Sequence, residues 1–243
     1  MSIALLATIH DKNGRDLGLM RDGINTLMQI YDEVIFTISE VTCSSYIGEL
    51  SQIPNCSFIV IPAKGAGDAR RNVLKLALEK SHCDFFHCCD FDRILTWLNY
   101  DKKELYDLKS TIVKTDFLII GRTAAAFSCH PKSWIETEKI TNTVASLALN
   151  MEVDITAGSC AMSRNAGMLI IKNSKAKMTD GEWPMIIHKL SSMNIDYIAV
   201  EGLKYIEDIN SCKSSSSEIN QWIGRVNLES IIVSSIEEYV NNF

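Results

Sequence analysis

Two aspartates separated by one residue follow an apolar stretch in the first half of the chain. Asp90 and Asp92 stand at the end of the run Asp84–Cys89, whose apolar composition is typical of a buried strand. A strand that ends in two acids places carboxylate oxygens at the edge of a sheet. Such hard oxygen ligands suit Mg²⁺ or Mn²⁺ when phosphate oxygens and water complete the coordination. The spacing therefore predicts a divalent-metal site at this strand end.

A glycine-containing, cationic segment precedes these aspartates. Lys64–Asn72 contains Gly65 and Gly67, followed by Arg70 and the start of a predicted helix. A turn that leads into a helix N-terminus, with positive charge beside it, favours anion binding. Together with the two aspartates, this segment predicts a site for a metal-bound nucleotide diphosphate.

The composition is that of a folded globular protein. The 243 residues suffice for one α/β domain, and 47% hydrophobic with 22% charged residues is ordinary for such a domain. The formal charge of −6 and the pI near 5.4 argue against the basic surface of a nucleic-acid-binding protein. We therefore expect no nucleic-acid partner.

The sequence also predicts a cytoplasmic protein without a membrane span. No segment reaches the roughly 18 apolar residues that crossing a bilayer requires. The apolar N-terminus, Met1–Ile9, has no basic region before it and is therefore interpreted as a strand and not as a signal peptide. None of the eight cysteines belongs to a C-x-x-C pair, so we expect reduced thiols that pack as small hydrophobic residues.

Strands and helices alternate along the chain. The predicted strands are Ile3–Thr8, Glu33–Ser39, Cys56–Ile61, Cys83–Cys89, Phe117–Gly121 and Ile195–Val200. The predicted helices are Asp16–Tyr31, Ser44–Leu50, Asp68–Ser81, Lys102–Lys109, Trp134–Asn150, Arg164–Ile171 and Asp180–Met193. The segment Asp154–Ser163 is predicted as a glycine-containing turn. The alternation predicts an α/β fold with a mostly parallel sheet, in which ligands bind at the carboxyl ends of the strands.

This ordered set of segments resembles the GT-A glycosyltransferases, Rossmann-like nucleotide-diphospho-sugar transferases, in a family-2-like form. The resemblance covers most of the chain, from the first strand through Lys64–Asn72 and Asp90–Arg93 to Gly158–Arg164 and Asp180–Trp183. It implies a metal-dependent enzyme that transfers a sugar from a nucleotide diphosphate sugar to the hydroxyl of an unknown acceptor. A UDP-sugar or GDP-sugar is the expected donor.

The resemblance also implies which residues hold the metal and the donor. Asp92 would bind Mg²⁺ or Mn²⁺ directly, and Asp90 would contact the ribose or reach the metal through water. The other donor contacts would come from Thr8, His10, Asp11, Glu40, Lys64, Gly65, Arg70 and Arg93. Among these, the cations would stabilise the diphosphate leaving group. The segment Thr8–Asp11 is interpreted equally well as a polar loop that caps the next helix.

A second group of residues is expected on the acceptor side. Gly158 and Ser159 would approach the donor sugar and acceptor, since glycine permits close backbone approach. Asp180 and Glu182 lie in the acidic segment that carries the general base in inverting members, and Trp183 would line the same side. Asp180 equally fits a helix N-cap, a role that does not exclude catalysis. The sequence does not distinguish inversion from retention of the anomeric configuration.

Two other functions stay open. A sugar-phosphate nucleotidyltransferase shares the sheet and the metal, but usually has a longer glycine-rich loop with Arg and Lys after the first strand. Here that loop contains only Lys12, Gly14 and Arg15. The second alternative is a catalytically silent module that binds a nucleotide or a protein partner through the segment 211–243.

One domain is predicted over residues 1–210, with a nucleotide-binding half at 1–122 and an acceptor-side half at 123–210. A Ser-rich linker, Ser211–Ser217, leads into the amphipathic helix Ile219–Val240. This C-terminal segment, 211–243, is expected to pack either on its own domain or on a partner subunit. In the second case the protein would form a homodimer.

Overall fold

The computed structural model describes residues 1–210 and 217–242. Its seven strands are β1 (Ile3–Ile9), β2 (Glu33–Ser39), β3 (Cys56–Ile61), β4 (Phe85–Cys89), β5 (Phe117–Arg122), β6 (Ser159–Ser163) and β7 (Ile195–Val200). They form one sheet in the order β3-β2-β1-β4-β6-β5-β7. Only β6 runs antiparallel to its neighbours, β4 and β5, so the six other strands end at the same edge.

Helices cover both faces of this sheet. They are α1 (Leu17–Ile30), α2 (Ser45–Leu50), α3 (Ala66–Lys80), α4 (Phe91–Ile112), α5 (Ala124–Ser128), α6 (Lys132–Leu149), α7 (Arg164–Asn173), α8 (Glu182–Leu190), α9 (Glu207–Asn210) and α10 (Glu218–Asn242). Apolar side chains from α1, α2 and α4 pack on one face, and those from α3, α6, α7, α8 and α10 pack on the other. The predicted α/β fold with a mostly parallel sheet is thus confirmed.

The hydrophobic pattern explains why the central elements form. In α1 the buried residues Leu17, Met20, Ile24 and Leu27 recur every three or four positions, which places them on one side of the helix. Strand β1 is instead apolar at nearly every position, because helices cover it on both faces. The spacing of the apolar residues therefore distinguishes this buried central strand from this amphipathic helix.

The structure differs from the predicted local structure in two places. The predicted helix Lys102–Lys109 lies within α4, but α4 begins earlier, at Phe91, directly after Asp90. Non-helical backbone at Asp101 divides α4, which explains why the pattern looks broken there. The segment predicted as a turn contains strand β6, whose small residues, among them Ser159, have weak strand propensity.

The C-terminal helix packs on its own chain. Helix α10 contacts α6 and α8, and it buries Ile232, Ile236 and Tyr239 against the sheet's second face. The predicted Ser-rich linker, apart from Ser217, lies outside the described residues. In the described part of the chain, no helix has the length and apolar character that crossing a membrane requires.

Candidate functional site

The edge of the sheet where β1 and β4 end carries the candidate site. These two strands are parallel neighbours, so Asp90 after β4 lies beside the segment that follows β1. Because β6 is antiparallel, its first residues lie at the same edge, and the amide of Asp90 donates to the carbonyl of Gly158 over 3.0 Å. The topology therefore brings together three segments that are far apart in sequence.

Helix α4 points its N-terminus into this site. Its first turn begins at Phe91, and first-turn amides have no acceptor within their own helix. Asp90 is the N-cap residue, but its side chain accepts no capping hydrogen bond. The amides and the positive end of the helix dipole are thus available to an anion at this edge.

Arg70 on α3 joins two carboxylates at the centre of the site. Its guanidinium donates to Asp90 through Nη2 and Nε, at 2.7 Å and 3.1 Å, and to Asp180 Oδ2 through Nη1 at 2.8 Å. The Nη1 atom also donates to Thr179 Oγ1 over 3.1 Å. Burial opposes the charge of Arg70, but Asp180 and Asp90 outweigh it and hold its pKa well above the ordinary value. Arg70 therefore fixes Asp90 relative to Asp180.

Gly158 makes the position of Asp90 possible. Its backbone has φ of +73°, in the left-handed region that favours glycine. A Cβ atom there would lie 2.6 Å from Asp90 Oδ2, well inside van der Waals contact. Contact with the Asp90 carboxylate thus explains why position 158 is glycine.

Asp92 has a partly exposed carboxylate that could bind a metal. About a third of its side chain is exposed, and Oδ2 accepts a 3.0 Å hydrogen bond from Asn210 on α9. Among residues 1–210 and 217–242, no group of three or more His, Cys, Asp or Glu side chains could hold a metal by itself. A hard cation would therefore need oxygen atoms from a bound ligand, such as a diphosphate, to complete its coordination. The residues present fit that arrangement.

Two connected arms of a cleft meet at Asp90 and Asp92. The first arm encloses about 570 Å³ and is lined from β1 by Thr8, His10 and Asp11. The second arm encloses about 230 Å³ and is lined by residues on the other side, including Gly158 and Asp180. Trp134 and Arg225 line both arms. Asp90 and Asp92 therefore lie where a ligand in one arm would meet a ligand in the other.

Asp11 has a structural role as well as a place in the first arm. Its Oδ2 accepts hydrogen bonds from the Asp16 amide at 2.9 Å and from Tyr46 Oη at 2.7 Å. Burial would raise the pKa of Asp11, but these hydrogen bonds outweigh it and lower the pKa below its usual value. His10 is exposed beside it.

Three of the expected donor contacts lie outside the cleft. Glu40, Lys64 and Gly65 are exposed, and none of the three lines either arm. Glu40 accepts a hydrogen bond from the Ala63 amide. Gly65 has φ of +98° with open space around its Cβ direction, so glycine is favoured there by backbone conformation alone.

Three expected acceptor-side residues face the protein interior. Glu182 is 1% exposed and accepts hydrogen bonds from the amides of Lys175 and Ala176, at 2.5 Å and 2.7 Å. Ser159 lies 3.0 Å from His87 Nε2 in the core, and the indole of Trp183 is buried. These groups support the site from behind and do not line its two arms.

The sequence pattern did not single out Trp134 and Arg225. The Arg225 guanidinium lies 4.4 Å from the centre of the Trp134 ring and pairs with Glu138 and Glu229. Arg225 is the only basic residue in α10. This single cation, on a helix that otherwise carries no positive charge, is the sequence feature that could have identified Arg225 as a site residue.

The strand order, the antiparallel strand β6 and the helices on both faces of the sheet define a GT-A fold. No family model and no curated protein sequence matches this chain. Among solved structures, it is similar to glucosyl-3-phosphoglycerate synthase from Mycobacterium tuberculosis in complex with Mn²⁺, UDP and phosphoglyceric acid. That match has a TM-score of 0.58 and 12% identity, and covers 97% of this chain and 78% of the synthase.

A second solved structure with a similar fold belongs to an enzyme named for a different reaction. The 4-diphosphocytidyl-2C-methyl-D-erythritol synthase from Anaerococcus prevotii matches with a TM-score of 0.51 and 10% identity. The match covers 94% of this chain and 98% of that one. At 10–12% identity these similarities establish a shared fold and not a shared activity.

Proposed function

We propose that this protein is a metal-dependent glycosyltransferase that moves a sugar from a nucleotide diphosphate sugar to an acceptor hydroxyl. One observation carries the proposal: Asp90 and Asp92 lie at the junction of two arms, with Asp180 in the second. A nucleotide in the first arm would place its diphosphate at the junction and its sugar toward Asp180. The similar synthase that holds Mn²⁺ and UDP supports this assignment.

The donor end of the site would be held by charge. Mg²⁺ or Mn²⁺ on Asp92 would supply positive charge that stabilises the departing diphosphate. The N-terminus of α4 would add its amides and dipole to the same phosphates. Thr8, His10 and Asp11 are the candidates for contacts with the nucleoside, and a UDP-sugar or GDP-sugar is the expected donor.

The acceptor end would depend on Asp180. Its Oδ2 is fixed by Arg70, and Oδ1 is the oxygen that Arg70 does not hold. We assign Oδ1 as the base that takes the proton of the acceptor hydroxyl while the hydroxyl oxygen bonds to the anomeric carbon. The bond between that carbon and the diphosphate oxygen breaks, and the diphosphate leaves with the electron pair. Glu182 is assigned to positioning because its carboxylate is buried and hydrogen-bonded.

A thermal-shift panel tests the donor site. UDP, GDP, ADP, CDP and dTDP are each added with and without Mn²⁺ or Mg²⁺ to the wild type, Asp92→Asn and the surface control Asp107→Asn. Ligand at 100 times its Kd stabilises the native state by about 2.7 kcal/mol. At about 2–4 °C per kcal/mol for this size, the expected metal-dependent rise in Tm is about 5–10 °C.

The expected rise occurs with one diphosphate, persists in Asp107→Asn and disappears in Asp92→Asn. If no nucleotide raises Tm, or if Asp92→Asn keeps the full metal-dependent rise, the donor site is wrongly assigned. Asp180→Asn should keep the rise but slow hydrolysis of the donor sugar about 100-fold or more, as loss of a general base does. Full hydrolysis in that variant would contradict the role of Asp180.

A nucleotidyltransferase is the second candidate, favoured by the similar fold of the Anaerococcus prevotii synthase. The two reactions release different products, because a nucleotidyltransferase releases pyrophosphate from a nucleoside triphosphate. Incubation with each nucleoside triphosphate and a mixture of sugar phosphates, followed by a pyrophosphate assay, separates them. Metal-dependent pyrophosphate release by the wild type would favour the second candidate.

A further inference from the structure

Arg93 is a buried cation whose ion pair with Asp92 is too long for a hydrogen bond. The residue is 7% exposed, and Nε lies 3.9 Å from Asp92 Oδ2, which is beyond hydrogen-bond distance. Its Nη1 atom is buried and has no hydrogen-bond partner among the described residues. A buried charge without a close counter-ion costs several kcal/mol, so such a group in a cleft indicates a missing ligand.

The other nearby arginines are all paired. Arg122 donates to Asp154 at 2.8 Å and to Glu138 at 2.7 Å. Arg225 pairs with Glu138 and with Glu229. The carboxylates of this cluster therefore already have partners, and Arg93 is the cation left over.

Trp134 does not compensate the charge of Arg93. The Arg93 guanidinium lies 5.5 Å from the centre of the Trp134 ring, and Arg225 lies 4.4 Å from the same ring. Cation–π contact provides modest attraction but no negative charge. The two guanidiniums therefore share one indole ring, which supplies neither of them with negative charge.

The position of Arg93 identifies the side of the site on which it acts. It lines the second arm together with Asp180, and it does not line the first arm, where the nucleotide is proposed to bind. A metal ion bound to Asp92 would neutralise the charge of that carboxylate and so weaken its ion pair with Arg93. The position of Arg93 therefore favours contact with the acceptor over the expected contact with the donor diphosphate.

We propose that the acceptor is a small hydroxylated anion and that Arg93 binds its carboxylate or phosphate group. That the bound anion is the acceptor substrate rests on the proposed function. The anion site itself rests only on Arg93. A guanidinium binds both kinds of oxyanion through paired N–H groups. The 230 Å³ of the second arm is about eight times the ~30 Å³ that one water occupies, so it suits a small molecule.

The first test measures anion binding to the nucleotide-free protein. Glycerate and glycerol 3-phosphate are the probes, with neutral glycerol as their uncharged counterpart, and binding is followed by ligand-observed NMR titration. We expect one or both anions to bind and glycerol not to bind. Arg93→Gln should weaken anion binding at least 10-fold, and Arg93→Lys should weaken it less. The surface control Arg21→Gln should leave anion binding unchanged.

The second test measures the Kd of the UDP–Mn²⁺ or GDP–Mn²⁺ complex in the same variants. An unchanged Kd in Arg93→Gln supports an acceptor-side anion site, whereas a 10-fold loss places Arg93 on the donor and overturns the inference. Failure of the wild type to bind either anion also overturns it, whatever the nucleotide does. If anions bind through Arg93 but no nucleotide binds, the proposed function fails and the anion site stands.

A stability measurement separates a binding role from a structural one. Because Arg93 is buried without a close partner, Arg93→Met should raise Tm by a few degrees in the ligand-free protein. A structural arginine would show the opposite, since its removal would leave a partner unpaired. A fall in Tm of Arg93→Met together with unchanged anion binding would refute the proposal.

Discussion

The close approach of Gly158 to Asp90 gives a sharp test of the site's construction. In Gly158→Ala, the new Cβ atom would lie 2.6 Å from Asp90 Oδ2, whereas ordinary contact begins at 3.4 Å. The carboxylate must therefore move by about 0.8 Å, the difference between these distances. The 2.7 Å contact between Asp90 and Arg70 would lengthen to as much as about 3.5 Å, the limit of a hydrogen bond.

Two costs contribute to the expected loss of stability. A non-glycine residue in the left-handed region costs about 1–2 kcal/mol. The weakened contact with Arg70 adds about 1–2 kcal/mol, taken at the low end for charged hydrogen bonds because a third of the Asp90 side chain is exposed. The sum of about 2–4 kcal/mol corresponds to a fall in Tm of about 4–16 °C for a chain of this size.

Two control variants separate these costs. Gly65→Ala has positive φ but no atom within 4 Å of the new Cβ, so it should show the backbone cost alone. Gly48→Ala, inside α2, has neither and should be neutral or slightly stabilising. Scanning calorimetry gives the three Tm values, and titration gives the Kd for UDP–Mn²⁺. If Gly158→Ala matches Gly65→Ala in Tm and binds as the wild type does, the contact with Asp90 has no functional role.

Two further predictions concern buried polar groups. Burial lowers the pKa of His87 to about 3. Its contribution to the free energy of unfolding is therefore full above the ordinary histidine pKa of about 6.5 and is lost as the pH falls from there toward 3. The loss is up to ~1.4 kcal/mol per pH unit. In His87→Gln, urea unfolding between pH 4 and 7 should have a shallower pH slope, and an unchanged slope would contradict this. Glu182→Gln should lower Tm by about 5–10 °C, because its amide would oppose the backbone amides of Lys175 and Ala176. A Tm within 2 °C of wild type, by the same calorimetry, would show that Glu182 does not hold this loop.

Strand positions could be predicted because they depend on local composition. The bounds of Glu33–Ser39, Cys56–Ile61 and Ile195–Val200 agree with the structure, since each is a short run of apolar or β-branched residues. Strand β6 escaped prediction because its small residues gain their strand conformation from pairing with β4 and β5 on either side. That pairing depends on tertiary structure, which local propensity does not contain.

The same distinction applies to the candidate site. Sequence spacing placed Asp90, Gly158 and Asp180 at the ends of elements, and the structure brings all three together around Arg70. Spacing did not reveal which side chains turn inward, so Glu182 was expected at the site although it is buried. The orientation of a side chain within a turn depends on neighbouring loops, which the periodic pattern does not describe.

The closure of the second arm depends on contacts across the whole chain. Arg225 on α10 reaches Glu138 on α6, and Glu138 also binds Arg122 at the end of β5. Glu138 is buried and pairs with both arginines, so replacing Glu138 would remove one ion-pair partner from Arg122 and one from Arg225. The C-terminal helix therefore belongs to the site itself, and its loss should remove a wall of the cleft. The described geometry thus favours an α10 that packs on its own domain.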